Sequence, residues 1–367
     1  MDKKFLIDVV YGTSVFLESL RKEDDPSYFP ATKGLTRYGK KLSLGFSCYG
    51  VKLSKLNGQW DNLSKAKKDV FINYIYSFQN NKSNYPKNYY IDTQLIKSFE
   101  DKLTYPNIKF EIKKLITNLT RKNFATKETI IQQSINADNK QTIATLYEMG
   151  MINVNKSINL YPTKGMITNY LNTLDWNKPW SAGAQFSSLC VYSKTQGFDY
   201  ESELVDFIHS KLHSITGSFH NKDLPETREI INGAMKVITG LEWLNHPIPE
   251  PIKLIDYCLE NLPVLEGCDV VDFIYVLYTC TKQVDYRTEE VGLLLKNLSN
   301  EIMSLYHPEE KGFSYFKNRS QNYYYGTQIT RGLNVADIHG TLLCTWGLVM
   351  VLDFFDSLEK DMSVIKP

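Results

Sequence analysis

Between Ala336 and Asp353 the chain reads ADIHGTLLCTWGLVMVLD, a helix-length stretch that is apolar on nearly every face past its polar entry. A helix with no polar face belongs inside a core. Five more segments share this grammar of a polar or glycine-containing entry and a mostly apolar body. They are RYGKKLSLGFSCYGVKLSKLN from Arg37, ADNKQTIATLYEMG from Ala137, WSAGAQFSSLCVYSKTQG from Trp180, INGAMKVITGLEWLN from Ile231 and CDVVDFIYVLYTCTKQ from Cys268. Amphipathic stretches such as ESELVDFIHSKLHSI and EEVGLLLKNLSNEIMSLY lie between them. Strand-like alternation is rare. Buried helices alternating with amphipathic ones predict an all-α fold, an (α/α) toroid of inner and outer helices with about six hairpins. The region from Asn57 to Thr120 shows no clear pattern of its own.

A chain of 367 residues is long for one simple core. Closed repeat architectures escape that limit, because each hairpin buries its apolar face against its neighbours. We therefore read 1–367 as one toroid domain, with 1–125 also readable as a helical N-terminal subdomain. Pro247, Pro249, Pro251 and Pro263 read as helix stops within that domain. Lys and Arg number 42 against 41 Asp and Glu, so no net charge draws the chain to nucleic acid or an anionic membrane. The expected partner is a glycan or another small molecule; the oligomeric state is unconstrained. Six cysteines stand alone with no CxxC pair, which points to reduced, buried thiols and a cytoplasmic setting. The first residues carry a short apolar patch broken by Asp8 and do not read as a signal peptide. Gly340 to Phe355, interrupted by Asp353, falls short of the roughly 18 apolar residues that mark a membrane span.

Two loops repeat a pattern. Gly217-Ser-Phe-His precedes the helix at Ile231, and Gly312-Phe-Ser-Tyr-Phe precedes the helix at Asp337. Gly233 and Gly340 then read as equivalent positions, compatible with two repeats of roughly 50 residues. The Gly-aromatic turn followed by Asp337-Ile-His339-Gly-Thr and an apolar helix resembles the repeats of terpenoid cyclase and protein prenyltransferase toroids. The same double ring of helices is similar in layout to six-hairpin glycosidases and polysaccharide lyases. The resemblance covers residues 135–355 and implies architecture only. The DxDD and DDxxD acids of isoprenoid cyclases are missing. The prenyltransferase zinc site uses Asp, Cys and His; Asp269, Cys268 and His339 fall in similar segments, with the order of Cys and Asp reversed. No metal site and no cofactor is assigned.

In a toroid, one end of the inner helices opens on a central cavity, so entry loops and first turns supply the candidate residues. Asp337 reads either as an N-cap or as a catalytic acid. His339, at the lip of a buried helix, reads as a core hydrogen-bond donor or as a general acid–base. Asp272 lies inside an apolar helix, and a buried carboxylate with a raised pKa suits acid–base work. Asp269 shares its face and reads as a cap or a substrate ligand. Asp272 facing Asp337 would fit a glycoside hydrolase. Tyr323, Tyr324 and Tyr325, between Arg319 and Arg331, suggest stacking on sugar and pairing with a carboxylate. Tyr324 would act as the acid of a β-elimination from a uronic acid. Trp176 and Trp180 read as a sugar platform or as wedges between helices. Arg228, beside Glu229, faces the cavity or forms an exposed ion pair. His209 and His213 share one helix face, directed outward. GxSxG, Walker A and strand-GxGxxG-helix signatures are absent.

These residues lead to three expectations. The first is a carbohydrate-active enzyme, a glycoside hydrolase or polysaccharide lyase, acting by acid–base chemistry on a glycan, with uronic-acid-containing glycans in view. The second is an isoprenoid-processing enzyme, and the third a non-catalytic binding toroid. An apolar, aromatic cavity favours the isoprenoid; charges around the cavity favour the glycan.

Overall fold

The structure is a computed structural model that describes residues 2–80, 85–101, 127–151, 155–161, 163–221, 223–262 and 267–367. The far part of the anticipated 1–125 subdomain, from residue 102, lies outside the described residues.

The described chain is mostly helical, with fourteen helices and four two-residue strands. The helices are α1 Lys3–Ser19, α2 Arg37–Lys41, α3 Leu44–Leu56, α4 Lys65–Tyr76, α5 Thr93–Glu100, α6 Lys127–Glu148, α7 Lys164–Thr173, α8 Pro179–Gln196, α9 Glu201–Ser210, α10 Thr227–Leu244, α11 Pro251–Glu260, α12 Asp269–Gln283, α13 Thr288–Met303 and α14 Ile338–Phe354. The strands β1 Tyr306–His307 and β2 Gly312–Phe313 pair antiparallel, as do β3 Tyr323–Tyr324 and β4 Thr327–Gln328. None of the described helices is long and apolar enough to cross a membrane.

Each of the six segments read as buried forms a helix. The segment from Arg37 divides into α2 and α3, because the Asp92 carboxylate accepts from the backbone N–H of both Ser43 and Leu44 at 2.8 and 3.2 Å. The other oxygen of Asp92 caps α5 by accepting from Gln94 N at 2.9 Å. One carboxylate thus satisfies donors at the start of two helices. Pro179 opens α8, where its missing N–H costs nothing, and Gly197 ends it in the left-handed conformation. The segment read from Ala137 begins ten residues earlier, since the polar first half of α6 gave no apolar signal.

Helix α3 packs on α6, α6 on α8, α8 on α10, α10 on α12, α12 on α14, and α14 back on α3. The amphipathic helices lie against members of this series: α9 on α8, α11 on α12, α13 on α12 and α14, and α1 on α14 and α3. One apolar cluster runs from Leu6 to Ile365 and includes side chains from all of α1, α3, α8, α10, α12 and α14. The first hundred residues therefore share the core of the rest.

Three of the amphipathic helices end in the same small device. Past α9, Leu212 bridges Phe219; past α13, Tyr306 bridges Phe313; past α1, Arg21 bridges Tyr28. The three aromatic side chains are buried. The first two are the Gly-aromatic turns of the sequence. The third escaped notice because Tyr28 stands there without a preceding glycine. Gly233 and Gly340 are both close-approach positions, but against different neighbours. A Cβ on Gly233 would lie 2.6 Å from the Pro179 Cβ, and one on Gly340 would lie 2.3 Å from the Tyr315 amide nitrogen.

Candidate functional site

The six helices of the packing series enclose a cavity of about 440 Å³, and each of them contributes to its lining. Tyr49 and Lys52 come from α3, Lys140 from α6, Ser187 from α8, Lys236 from α10, Asp272 from α12, and His339 and Trp346 from α14. Trp180, in the first turn of α8, Tyr324 of β3 and the loop residues Tyr315 and Tyr325 also line it. Ile365 and Pro367 line it where α6 and α10 end. There Lys366 N donates to Glu148 Oε2 at 3.0 Å, Trp346 Nε1 to Ile365 O at 3.0 Å, and Trp243 Nε1 to Pro367 O at 3.3 Å.

His339 lies between two rings. Its imidazole stacks on Tyr49, with centroids 4.7 Å apart, and on Tyr315, at 5.0 Å. Burial, helped by the nearby Lys236 charge, pushes its pKa down to about 3, so it is neutral at physiological pH. Its Nδ1 has no hydrogen-bond partner. Asp272 is buried too, and burial raises its pKa to about 6 against the opposing pull of Lys236. Its Oδ2 is also without a partner, as is the Ser187 hydroxyl. A buried polar atom left unsatisfied costs about 1–3 kcal/mol. All three residues line the cavity, with these atoms themselves buried.

Tyr324 donates its hydroxyl proton to Asp138 Oδ1. Burial carries the Asp138 carboxyl up to about 8, opposed by that hydrogen bond, and holds the Tyr324 phenol well above its ordinary range. Asp138 sits within α6 among buried residues. The pair is a phenol backed by a carboxyl that is mostly protonated at neutral pH.

Other anticipated residues take other places. Asp337 is the N-cap of α14: one oxygen accepts from Gly340 N at 2.8 Å, the other from Tyr315 N at 2.7 Å and Gln321 N at 3.0 Å. It is not among the residues that line the cavity, and both its oxygens accept from backbone amides. Asp269 opens α12 without capping it; Cys268 stands at the N-cap. The Asp269 carboxylate accepts from Asn232 Nδ2 at 2.7 Å and pairs with Arg228 Nε at 2.9 Å. The Arg228 guanidinium also lies over the Trp180 ring, 5.3 Å from its centroid, and Glu229 Oε2 accepts from Trp180 N at 3.3 Å. Arg228 and Asp269 thus brace Trp180 rather than line the cavity. Trp176 is a wedge: it is buried, packs on Phe207 and donates from Nε1 to Leu171 O at 3.0 Å.

Arg319 stacks on Phe316 at 4.2 Å and lines a separate cavity with Glu301. Arg331 and Tyr323 are exposed and do not reach the main cavity. The two arginines expected to neutralise a carboxylate are therefore absent from the wall. His213 lies beyond the end of α9, half-buried against His220 with centroids 4.3 Å apart, while His209 is exposed. The cysteines are free thiols. Cys268 lines the cavity, with its thiol pushed up to about 12 by burial. Among the described residues, no three His, Cys, Asp or Glu side chains are placed to hold a metal ion.

Sequence reasoning missed Asp138, Lys52, Lys140, Lys236 and Ser187. The signal was present for two of them: Lys52 between Val51 and Leu53, and Lys236 between Met235 and Val237, are charges inside apolar runs, the same feature that selected Asp272. Comparison of the chain with protein-family models, with curated proteins and with solved structures gave no match.

Proposed function

We propose that α3, α6, α8, α10, α12 and α14 form the inner ring of an α/α toroid, and that the cavity they enclose is the active site of an acid–base enzyme acting on an anionic saccharide. The observation that carries the reading is that Asp272, His339 and Tyr324 line one cavity, with Asp138 behind Tyr324 and with an unpartnered atom on each of Asp272 and His339.

The roles follow from protonation. Asp272, with a pKa of about 6, is mostly ionised near neutral pH yet still basic enough to take a proton. Neutral His339 offers a ring nitrogen to a substrate hydroxyl. Tyr324 keeps its proton at any ordinary pH and has the protonated Asp138 behind it as a source of replacement. For a uronic acid, Asp272 takes the proton α to the carboxylate and Tyr324 gives a proton to the leaving glycosidic oxygen. The C–H and C–O bonds break and a C=C bond forms. Trp180, held by Arg228, supplies the stacking face for a sugar ring.

The apolar part of the wall, with Met235, Leu342, Leu343 and Trp346, favours a second reading. An isoprenoid tail would lie against these groups with its anionic head toward the lysines. The two readings separate on one assay: incubation with uronate oligosaccharides and with prenyl diphosphates, followed by mass spectrometry of the products. The saccharide reading expects an unsaturated uronate product from the wild type, lost at least 100-fold in Asp272→Asn and Tyr324→Phe. Turnover of a prenyl diphosphate with no saccharide product would overturn it.

A further inference from the structure

We propose that Lys52, Lys140, Lys236 and Ser187 form a phosphoryl-binding subsite within the cavity. The inference rests on the cavity being a ligand site but not on which reaction follows.

The four residues come from four successive helices of the packing series, α3, α6, α10 and α8, and all face one cavity. Lys52 is buried, and Lys140 and Lys236 are half-buried. Burial holds the Lys140 amine well below its ordinary range and the Lys52 and Lys236 charges push it the same way, so both of those amines lie within electrostatic reach of Lys140. No Asp or Glu among the described residues forms an ion pair with any of them. Glu148 acts on Lys52 as an opposing charge, and Lys236 acts on Asp272. Lys140 gives one hydrogen bond to Pro367 O at 3.2 Å, and Lys52 reaches Lys366 O at 3.5 Å. Those oxygens aim the two amines without using up their donors, since each ammonium carries three. The Lys236 ammonium makes no hydrogen bond to any described residue. Gly183 lets α8 come close beside it: a Cβ there would lie 3.1 Å from the Lys236 Cβ.

Amines on a desolvating wall either give up their protons or take an anion as partner, so an anion entering here would be held by all three. Ser187 Oγ, buried and unpartnered on the same wall, adds a neutral donor. The number of cations, more than their type, points to the anion. A guanidinium's planar fork pairs with carboxylate and phosphate alike, and an ammonium is a point charge that phosphate sites also use. Every cation lining this cavity is a lysine. Several converging point charges and a hydroxyl match the three oxygens and double charge of a phosphoryl group better than the two oxygens of a carboxylate. Both a sugar phosphate and a prenyl diphosphate carry that group.

The test is calorimetric titration of the full chain with inorganic pyrophosphate, with galacturonate in a parallel arm. Pyrophosphate should bind one per chain, at least 10-fold tighter than galacturonate. Lys236→Met should weaken it at least 10-fold, Ser187→Ala by about 3-fold, and Lys236→Arg should keep most of the affinity. Comparing the melting temperature of each variant with the wild type separates loss of the site from loss of the fold. Arms with a hexose phosphate and a prenyl diphosphate distinguish the sources. Equal or tighter binding of galacturonate, or pyrophosphate binding that Lys236→Met leaves unchanged, would overturn the subsite. Either result would leave the acid–base reading, which is judged by product formation in the Asp272 and Tyr324 variants, standing or falling by itself.

Discussion

The imidazole of His339 lies parallel to the phenol ring of Tyr49, with planes 7° apart and centroids 4.7 Å apart. Between Tyr49 and Tyr315 the ring has aromatic carbon where a protonated imidazole would want solvent or an acid. The pKa falls from near 6.5 to about 3 for that reason. His339 should therefore stay neutral from pH 8 down to pH 4, which ring nitrogen chemical shifts read directly. The unfolded chain takes up this proton below about 6.5, where the native state refuses it. The His339 contribution to stability should thus fall on acidification between about 6.5 and 3, so that His339→Asn gains stability relative to the wild type across that range. A ring that titrates near 6.5 would remove the neutral role assigned to it.

Asp138 works in the opposite direction. Its folded pKa of about 8 lies above the unfolded value of about 3.9, so its contribution to stability is full at low pH and is lost as pH rises through 8. At about 1.4 kcal/mol per pH unit the loss is on the order of a few kcal/mol. Asp138→Asn keeps an acceptor for Tyr324 and cannot ionise. The variant should melt higher than the wild type at pH 9 and equally at pH 4. Identical melting curves at both pH values would show that Asp138 has an ordinary carboxyl.

Asp337 joins the start of α14 to the loop before it through three backbone amides. Asp337→Ala strands all three, at a cost of roughly 2–4 kcal/mol, read as a lower denaturant midpoint with unchanged slope. Asp337→Asn should cost about half as much, since one side-chain oxygen remains. A variant as stable as the wild type would mean that water replaces the carboxylate at this buried position.

The helices were legible because burial on all faces leaves a plain mark: the run from Leu342 to Leu352 has no charged residue, and it is α14. The capping role of Asp337 was legible too, as one of two readings that only coordinates separate. The tyrosine run misled by its proximity in sequence. In β3, consecutive side chains point to opposite faces, so Tyr323 is exposed while Tyr324 is buried. The lysine cluster was illegible as a cluster, because Lys52, Lys140 and Lys236 meet only when distant helices pack around one space. Asp138, in the moderately polar α6, had no apolar run to set it off. Arg319 and Arg331 drew notice through their spacing, but spacing says nothing of which cavity a loop side chain enters.

Chemistry within the space lined by the six helices requires that space to stay open. Ala184, on the α8 wall of the cavity, has no polar group and no assigned role, so filling the space from there leaves every acid–base residue in place. The measurement is turnover of uronate oligosaccharides by Ala184→Trp, with its melting curve and circular dichroism recorded beside the wild type. The account predicts a folded protein whose kcat/KM falls at least 100-fold. A folded Ala184→Trp protein with wild-type turnover would place the chemistry somewhere else.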